Sequence, residues 1–260
     1  MSALAERRVL VTRAAEDQAE LAALLAARGA RPVALPCIAF ADPADPAPLE
    51  EALQRLRSGR PPDFVVLASP HAAERFLARV DPTWLKGVRI AAAGEGTARR
   101  IGERGLQVLV PAHGTGAEAL VETLAPQVSG KEVLLPRAEA GNPALAAGLA
   151  RAGARVLAPV LYRTVPAFAA DPEGARLLRS GLVDAIAFAS GSAARGFAAL
   201  FGAEARQLAG RARVVCMGPT CAGDARTAGL RVDAVADGGL PELVDSLEDA
   251  LSTGGPSVSG

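Results

Sequence analysis

The chain repeats itself, and no other feature restricts its folding as much. VLVTRAAEDQAELAALLAARGAR from Val9 is echoed by VLLPRAEAGNPALAAGLARAGAR from Val133, with Arg13 falling on Arg137 and Gly29 on Gly153. DFVVLASPHAAERF from Asp63 returns as DAIAFASGSAARGF from Asp184, placing Ser69 on Ser190. RIAAAGEGTARRIGERGLQV from Arg89 returns as RVVCMGPTCAGDARTAGLRV from Arg213. Echoes that recur in the same order mark a duplication, so one architecture must serve both halves.

Within each half, short β-branched runs alternate with alanine- and leucine-rich helical patterns that end at glycine. The strand-like runs are RVLVT, PVALP, DFVVLAS, VRIAAAG, QVLVP, EVLLP, RVLAPV, DAIAFAS, RVVCMG and RVDAVA. Leu21, Leu24 and Leu25 keep helical spacing in AELAALLAARG, which stops at Gly29. This alternation predicts an α/β fold: two similar lobes, flavodoxin- or Rossmann-like, each with a parallel sheet covered on both faces. Simple duplication divides the chain near residue 128. Two proline-flanked extended stretches at equivalent places, LPCIAFADPADPAP and APVLYRTVP, offer other joints. If both cross between lobes, one lobe is 42–160 and the other is 1–36 plus 168–260. Periodicity alone leaves both divisions open.

Composition narrows the partners. Lys+Arg and Asp+Glu both number 28, so no global field draws in nucleic acid or an anionic membrane, and an anion must be held locally. No apolar run approaches the ~20 residues of a membrane helix. The opening MSALAERRVLVTR passes into a strand-like run without a secretory segment, so a cytoplasmic location is expected. Cys37, Cys216 and Cys221 form no CxxC pair and there are only two histidines, which argues against a zinc site or disulfide framework and for buried apolar thiols. His71 and His113 read as surface residues. The end, from about Ser252, reads as a frayed tail.

Open parallel sheets bind ligands beyond the carboxyl ends of their strands. The residues there share a character: Ser69-Pro70, Asn142-Pro143, Thr97 after Gly94-Glu-Gly96, Thr220 and Ser190-Gly-Ser192 each read as a helix N-cap, and Thr115 to Glu118 has capping-box spacing. A helix start offers free N–H groups and partial positive charge, a seat for a carboxylate or phosphate. Arg13 and Arg137, each after a first strand, add bidentate donors. GEGTAR and HGTG fall short of a nucleotide fingerprint. Tyr162, the only tyrosine, sits before a proline in an extended joining segment and reads as an unlikely core filler.

Taken together, VLVTR with its helix and Pro36, ASPHAAERF, AAAGEGTA, LLPRAEAGN, LYRTVP, FASGSAARGF and MGPTCA resemble the uroporphyrinogen-III synthase family, over nearly the whole chain. The resemblance implies two α/β lobes on a two-stranded connector with a ligand cleft between them. It selects the discontinuous division, 1–36 plus 168–260 and 42–160, with connectors 37–41 and 161–167. It also implies a cofactor-free lyase that takes linear hydroxymethylbilane, inverts ring D and closes the macrocycle with loss of water, and two lobes on thin connectors are expected to close around that substrate. Handover from hydroxymethylbilane synthase, no nucleic acid partner and a monomeric state accompany that expectation. Tyr162 falls on the family's tyrosine position, where a phenol would assist departure of the hydroxyl. Carried over position by position, Ser69, Thr97, Arg137, Ser190 and Thr220 would contact or frame the substrate; Arg13, Gly94, Asn142 and Ser192 join them as substrate-binding candidates from their places at the strand ends. Ala68 stands where a threonine is common and His71 where an asparagine is. A non-catalytic two-lobed binding protein for a small anion, or a phosphate enzyme, are the competing readings.

Overall fold

The computed structural model describes residues 2–253. The chain forms two compact units, one of Met1–Phe40 with Thr164–Gly260 and the other of Ala41–Arg163. It opens with β1 (Arg8–Val11), α1 (Gln18–Ala27) and β2 (Arg31–Ala34), and leaves the first unit through β3 (Ile38–Ala41). Gly29, at φ +79°, makes the left-handed turn that ends α1, a conformation a side chain would disfavour. The second unit runs α2 (Ala47–Arg57), β4 (Phe64–Leu67), α3 (Pro70–Leu77), β5 (Arg89–Ala92), α4 (Glu95–Gly102), α5 (Gly116–Val128), β6 (Glu132–Leu134), β7 (Arg137–Ala138), α6 (Ala144–Arg151) and β8 (Arg155–Leu157). Return is through β9 (Val160–Pro166), followed by α7 (Pro172–Arg179), β10 (Ala185–Phe188), α8 (Gly191–Phe201), α9 (Ala205–Ala209), β11 (Arg213–Met217), α10 (Gly218–Thr227), β12 (Ala234–Ala236) and α11 (Leu240–Ser252). Ser252 closes that helix rather than fraying, its hydroxyl donating to the Glu248 carbonyl at 2.8 Å; residues 254–260 of the expected tail lie outside the described residues.

The first unit carries a parallel sheet in the order β12-β11-β10-β1-β2, and the second a parallel sheet in the order β5-β4-β6-β8. The joining strands lie in a small sheet, β3-β9-β7. The duplication survives at atomic level. Asp184 precedes β10, its carboxylate accepting from the Arg8 N–H at 2.8 Å; Asp63 precedes β4 and accepts from the Glu132 N–H at 2.9 Å. The backbones repeat this, Asp184 donating to Arg8 and accepting from Arg213, Asp63 donating to Glu132 and accepting from Arg89. β5-β4-β6-β8 therefore reproduces β11-β10-β1-β2. The counterpart of β12, expected at QVLVP, is corrected to a single parallel bridge between Ala91 and Leu109. Pro111 ends that run without an N–H to donate, and Leu109 and Val110 stay exposed, so little burial favours a longer pairing.

Both faces of the central strands β1, β10 and β11 are buried, which is why they read as unbroken apolar runs. Leu10, Ile186, Phe188, Val214 and Cys216 face one core, while Val9, Val11, Ala185, Ala187 and Val215 face the other. In the second unit, Phe64, Val66, Ala91 and Val133 pack against Leu120, Leu124 and Leu149 of α5 and α6. Small residues let helices approach backbone: a Cβ at Gly196 of α8 would overlap the carbonyl of Cys37, and one at Gly174 of α7 that of Ala34. Gly196→Ala is expected to lower stability by about 1–3 kcal/mol, since backbone rather than a flexible side-chain end must move. Urea denaturation checks this, and an unchanged midpoint would show that the 37 segment yields freely.

Candidate active site

Because each sheet is parallel, its carboxyl edge gathers residues distant in sequence. In the first unit Arg13 follows β1, Ser190 and Ser192 follow β10, and Thr220 follows β11, three adjacent strands. In the second, Ser69 follows β4, Gly94 and Thr97 follow β5, and Arg137 and Asn142 follow β6, again adjacent. These are the positions where open α/β sheets bind ligands.

The expected caps divide into those that form and those that do not. Ser69 caps α3 by accepting from Ala72 N–H at 3.2 Å, with Pro70 at the first helical position. Ser190 caps α8 from Ala193 N–H at 3.2 Å and lies 3.0 Å, Oγ to Oγ, from Ser192. Ser190→Ala should cost about 1 kcal/mol in thermal unfolding, the usual worth of such a cap; no change would mean that solvent replaces the hydroxyl fully. Asn142 is shifted by one: Pro143 is the N-cap of α6, and the Asn142 side chain accepts from Ala144 N–H at 2.9 Å. Thr97 and Thr220 are not caps. Glycine before each lets the helix begin earlier, at Glu95 and Gly218, so Thr97 lies buried in the first turn of α4 and Thr220 exposed in that of α10. Thr115 is the N-cap of α5 but makes no side-chain cap bond.

Charge sorts the helix starts further. α4 and α5 carry Glu95 and Glu118 in their first turns, the chain's own answer to the positive helix end. α3, α6, α8 and α10 carry no acid there, leaving that end available to an outside anion. At α8 the seat is partly shared, because Asp224, ion-paired to Arg195, packs against Gly191. Arg13 is likewise engaged, its guanidinium 3.9 Å from the Asp17 carboxylate.

In the second unit Ser69, Arg137, Asn142 and Tyr162 converge on one cavity of about 370 Å³, walled otherwise by small and aliphatic residues such as Ala72 and Leu145. Gly94 and Thr97 do not line it. Arg137 lies within β7, not in a loop, and its guanidinium donates to the Ala138 and Glu139 carbonyls at 3.1 and 2.9 Å. This fixes the side chain at the cavity while leaving further donors on the same group.

Tyr162 corrects the expectation drawn from its sequence context: it is only 6% exposed. The cause is a register shift in β9. Arg137 pairs with Val160 and Ala138 with Tyr162, so β9 carries one extra residue, Leu161. Such a bulge breaks strict alternation, and the consecutive Leu161 and Tyr162 are both buried. The Tyr162 carbonyl accepts from Glu139 N–H at 2.9 Å, anchoring the strand beside Arg137. Two side chains of α3 meet its ring. His71, half-buried rather than on the surface, lies edge-on with centroids 6.5 Å apart, and the Arg75 guanidinium sits 5.4 Å from the ring centroid. Sequence reasoning passes over Arg75; the available signal is its four-residue spacing from His71, which puts both on one helix face.

The cysteines are free and buried. Burial pushes the Cys37 thiol well above its ordinary range. Cys216 and Cys221 share a hydrogen bond that raises the former and lowers the latter. His113 is exposed. Among the described residues, no group of three or more His, Cys, Asp or Glu is arranged to hold a metal, and no helix is long and apolar enough to cross a membrane.

Parallel α/β units whose helix starts gather at the carboxyl edges of their sheets define a Rossmann-type α/β protein. Residues 19–239 match the model of the family described as uroporphyrinogen-III synthase HemD, and the chain belongs to that family. The uroporphyrinogen-III synthase of Synechococcus elongatus is 29% identical over 197 residues, 74% of this chain and 74% of that protein. Two solved structures share the fold: uroporphyrinogen-III synthetase from Helicobacter pylori (17% identity, 96% of this chain and all of the other, TM-score 0.61) and a mutant uroporphyrinogen III synthase from Thermus thermophilus (21%, 95% and all of the other, TM-score 0.57).

Proposed function

We propose that the protein is a uroporphyrinogen-III synthase, an enzyme that cyclises hydroxymethylbilane with inversion of ring D and loss of water. The family match across residues 19–239 carries this reading and favours it over a non-catalytic binding protein. The chemistry of the cavity in the second unit agrees with it. Hydroxymethylbilane is a flexible polycarboxylate, and seats at α3 and α6, together with Arg137, suit its carboxylates without a basic surface. Arg13, Ser190, Ser192 and Thr220, on the corresponding edge of the other unit, supply further carboxylate contacts in this reading. Gly94 and Thr97 frame the site through α4 rather than as principal seats, since Glu95 already occupies that helix end.

Tyr162 is the proton donor. Its O–H bond breaks as the terminal C–O bond does, the proton leaves on the departing hydroxyl as water, and electron density from the pyrrole nitrogen fills the carbon left behind as the azafulvene forms. The ring D carbon that already bears the bridging methylene attacks that electrophile to give a spiro intermediate; its bond to the methylene then breaks, leaving a second azafulvene on the neighbouring ring, and the free α-carbon of ring D attacks this to close the inverted macrocycle. The proton released when the last pyrrole regains aromaticity restores the phenol, so the sum is loss of one water. Holding the two chain ends together supplies most of the remaining advantage. The reaction needs no cofactor in this scheme, and the enzyme works as a cytoplasmic monomer that receives its unstable substrate from hydroxymethylbilane synthase.

The test is a coupled assay that resolves product isomers. Purified protein supplied with hydroxymethylbilane should yield the type III isomer. Binding without conversion, leaving spontaneous closure to type I, would overturn the proposal and restore the binding-protein reading.

A further inference from the structure

We infer that Arg75 is a positioning residue for Tyr162, with His71 completing a cradle around the ring. The inference rests on the reading of Tyr162 as proton donor. The two side chains lie one turn apart on α3, the helix whose cap Ser69 and whose Ala72 both line the cavity with Tyr162. Arg75 places its guanidinium 5.4 Å from the ring centroid, and His71 closes the ring edge-on at 71°.

This arrangement does two things. It fixes the ring from a second direction, beyond the bulge that turns it inward, so the ring keeps one orientation where it lines the cavity. It also sets a permanent cation over the ring that gains negative charge as its proton leaves, and a preorganised charge of this kind assists only while that charge develops. Removing it should therefore act on kcat rather than on KM. The same helix that seats a substrate carboxylate at its start thus holds the catalytic ring at its second turn, coupling binding to orientation.

Two readouts test this. The first is steady-state kinetics by the isomer-resolving assay on Arg75→Gln, Arg75→Lys, Tyr162→Phe and the double variant Arg75→Gln/Tyr162→Phe, each checked for folding by thermal unfolding. Arg75→Gln should lower kcat roughly five- to tenfold, the worth of a partly desolvated cation beside a ring, with KM changed less than about twofold. Arg75→Lys should recover part of the loss, and in the Tyr162→Phe background the glutamine should cost nothing further. The second uses the fact that Tyr162 is the only tyrosine: selective isotope labelling gives a single ring signal, which should shift in Arg75→Gln and return toward its original position in Arg75→Lys. Wild-type kcat in Arg75→Gln while Tyr162→Phe is slow, or equal losses in both backgrounds, would overturn the inference alone. A fully active Tyr162→Phe enzyme would remove the underlying reading and the inference with it.

Discussion

Tyr162→Phe should lower kcat about a hundredfold, near the lower end of what a positioned proton donor contributes. The change deletes one oxygen from a buried ring and leaves its contacts with His71 and Arg75 in place, so KM and unfolding temperature should move little. The product itself provides a second reading. Spontaneous closure gives the type I isomer, so a slowed enzyme loses the race and the type I fraction rises as turnover falls. A variant with full turnover and only type III product would show that the leaving hydroxyl draws its proton from elsewhere. If the acidic substrate is held at several points, as proposed, single replacements at Ser69, Asn142 or Ser190 should each weaken its binding without abolishing turnover.

The largest expected effect on stability comes from Phe197→Ala, a loss of about 3–5 kcal/mol for removing a fully buried aromatic ring. Phe197 has no exposed surface and meets Phe188 at 5.6 Å in a T-shaped contact and Phe201 at 4.8 Å. It joins α8 to the strand β10, and α8 is the helix that begins at Ser190, so slack in this packing would reach the carboxyl edge of the sheet. Urea denaturation with an unchanged dependence on denaturant measures it. A loss below about 1 kcal/mol would mean that α8 and α9 collapse into the space.

Most of the fold is legible in the sequence because periodicity and duplication act on many residues at once. The runs at 8–12, 63–69, 184–190 and 213–218 become central strands since burial on both faces demands apolar residues at every position. The run at 107–111 has the same look, yet it lies at an edge where pairing gains little. Helix starts are harder. Ser69-Pro70 announces itself through side-chain chemistry, whereas α4 starts just after Gly94 and α10 at Gly218, and the threonines that resemble caps lie inside the first turn. The burial of Tyr162 is invisible in the chain because it depends on one unpaired residue in β9 opposite β7, a property of register between strands far apart in sequence. Arg75 is missed for a related reason: a helical face is legible, but not the ring it will meet.

The interleaved strand order has a consequence for how the molecule is made. β1 and β2 emerge first, yet β10, the neighbour that β1 needs on its other side, begins only at Ala185. At typical synthesis speeds of about 5–20 residues per second, that opening segment spends on the order of ten seconds as an unfinished sheet while the contiguous 41–163 unit can close behind it. A ribosome-bound chain of intermediate length should therefore offer β1 to proteases and chaperones after β4, β5, β6 and β8 have become protected.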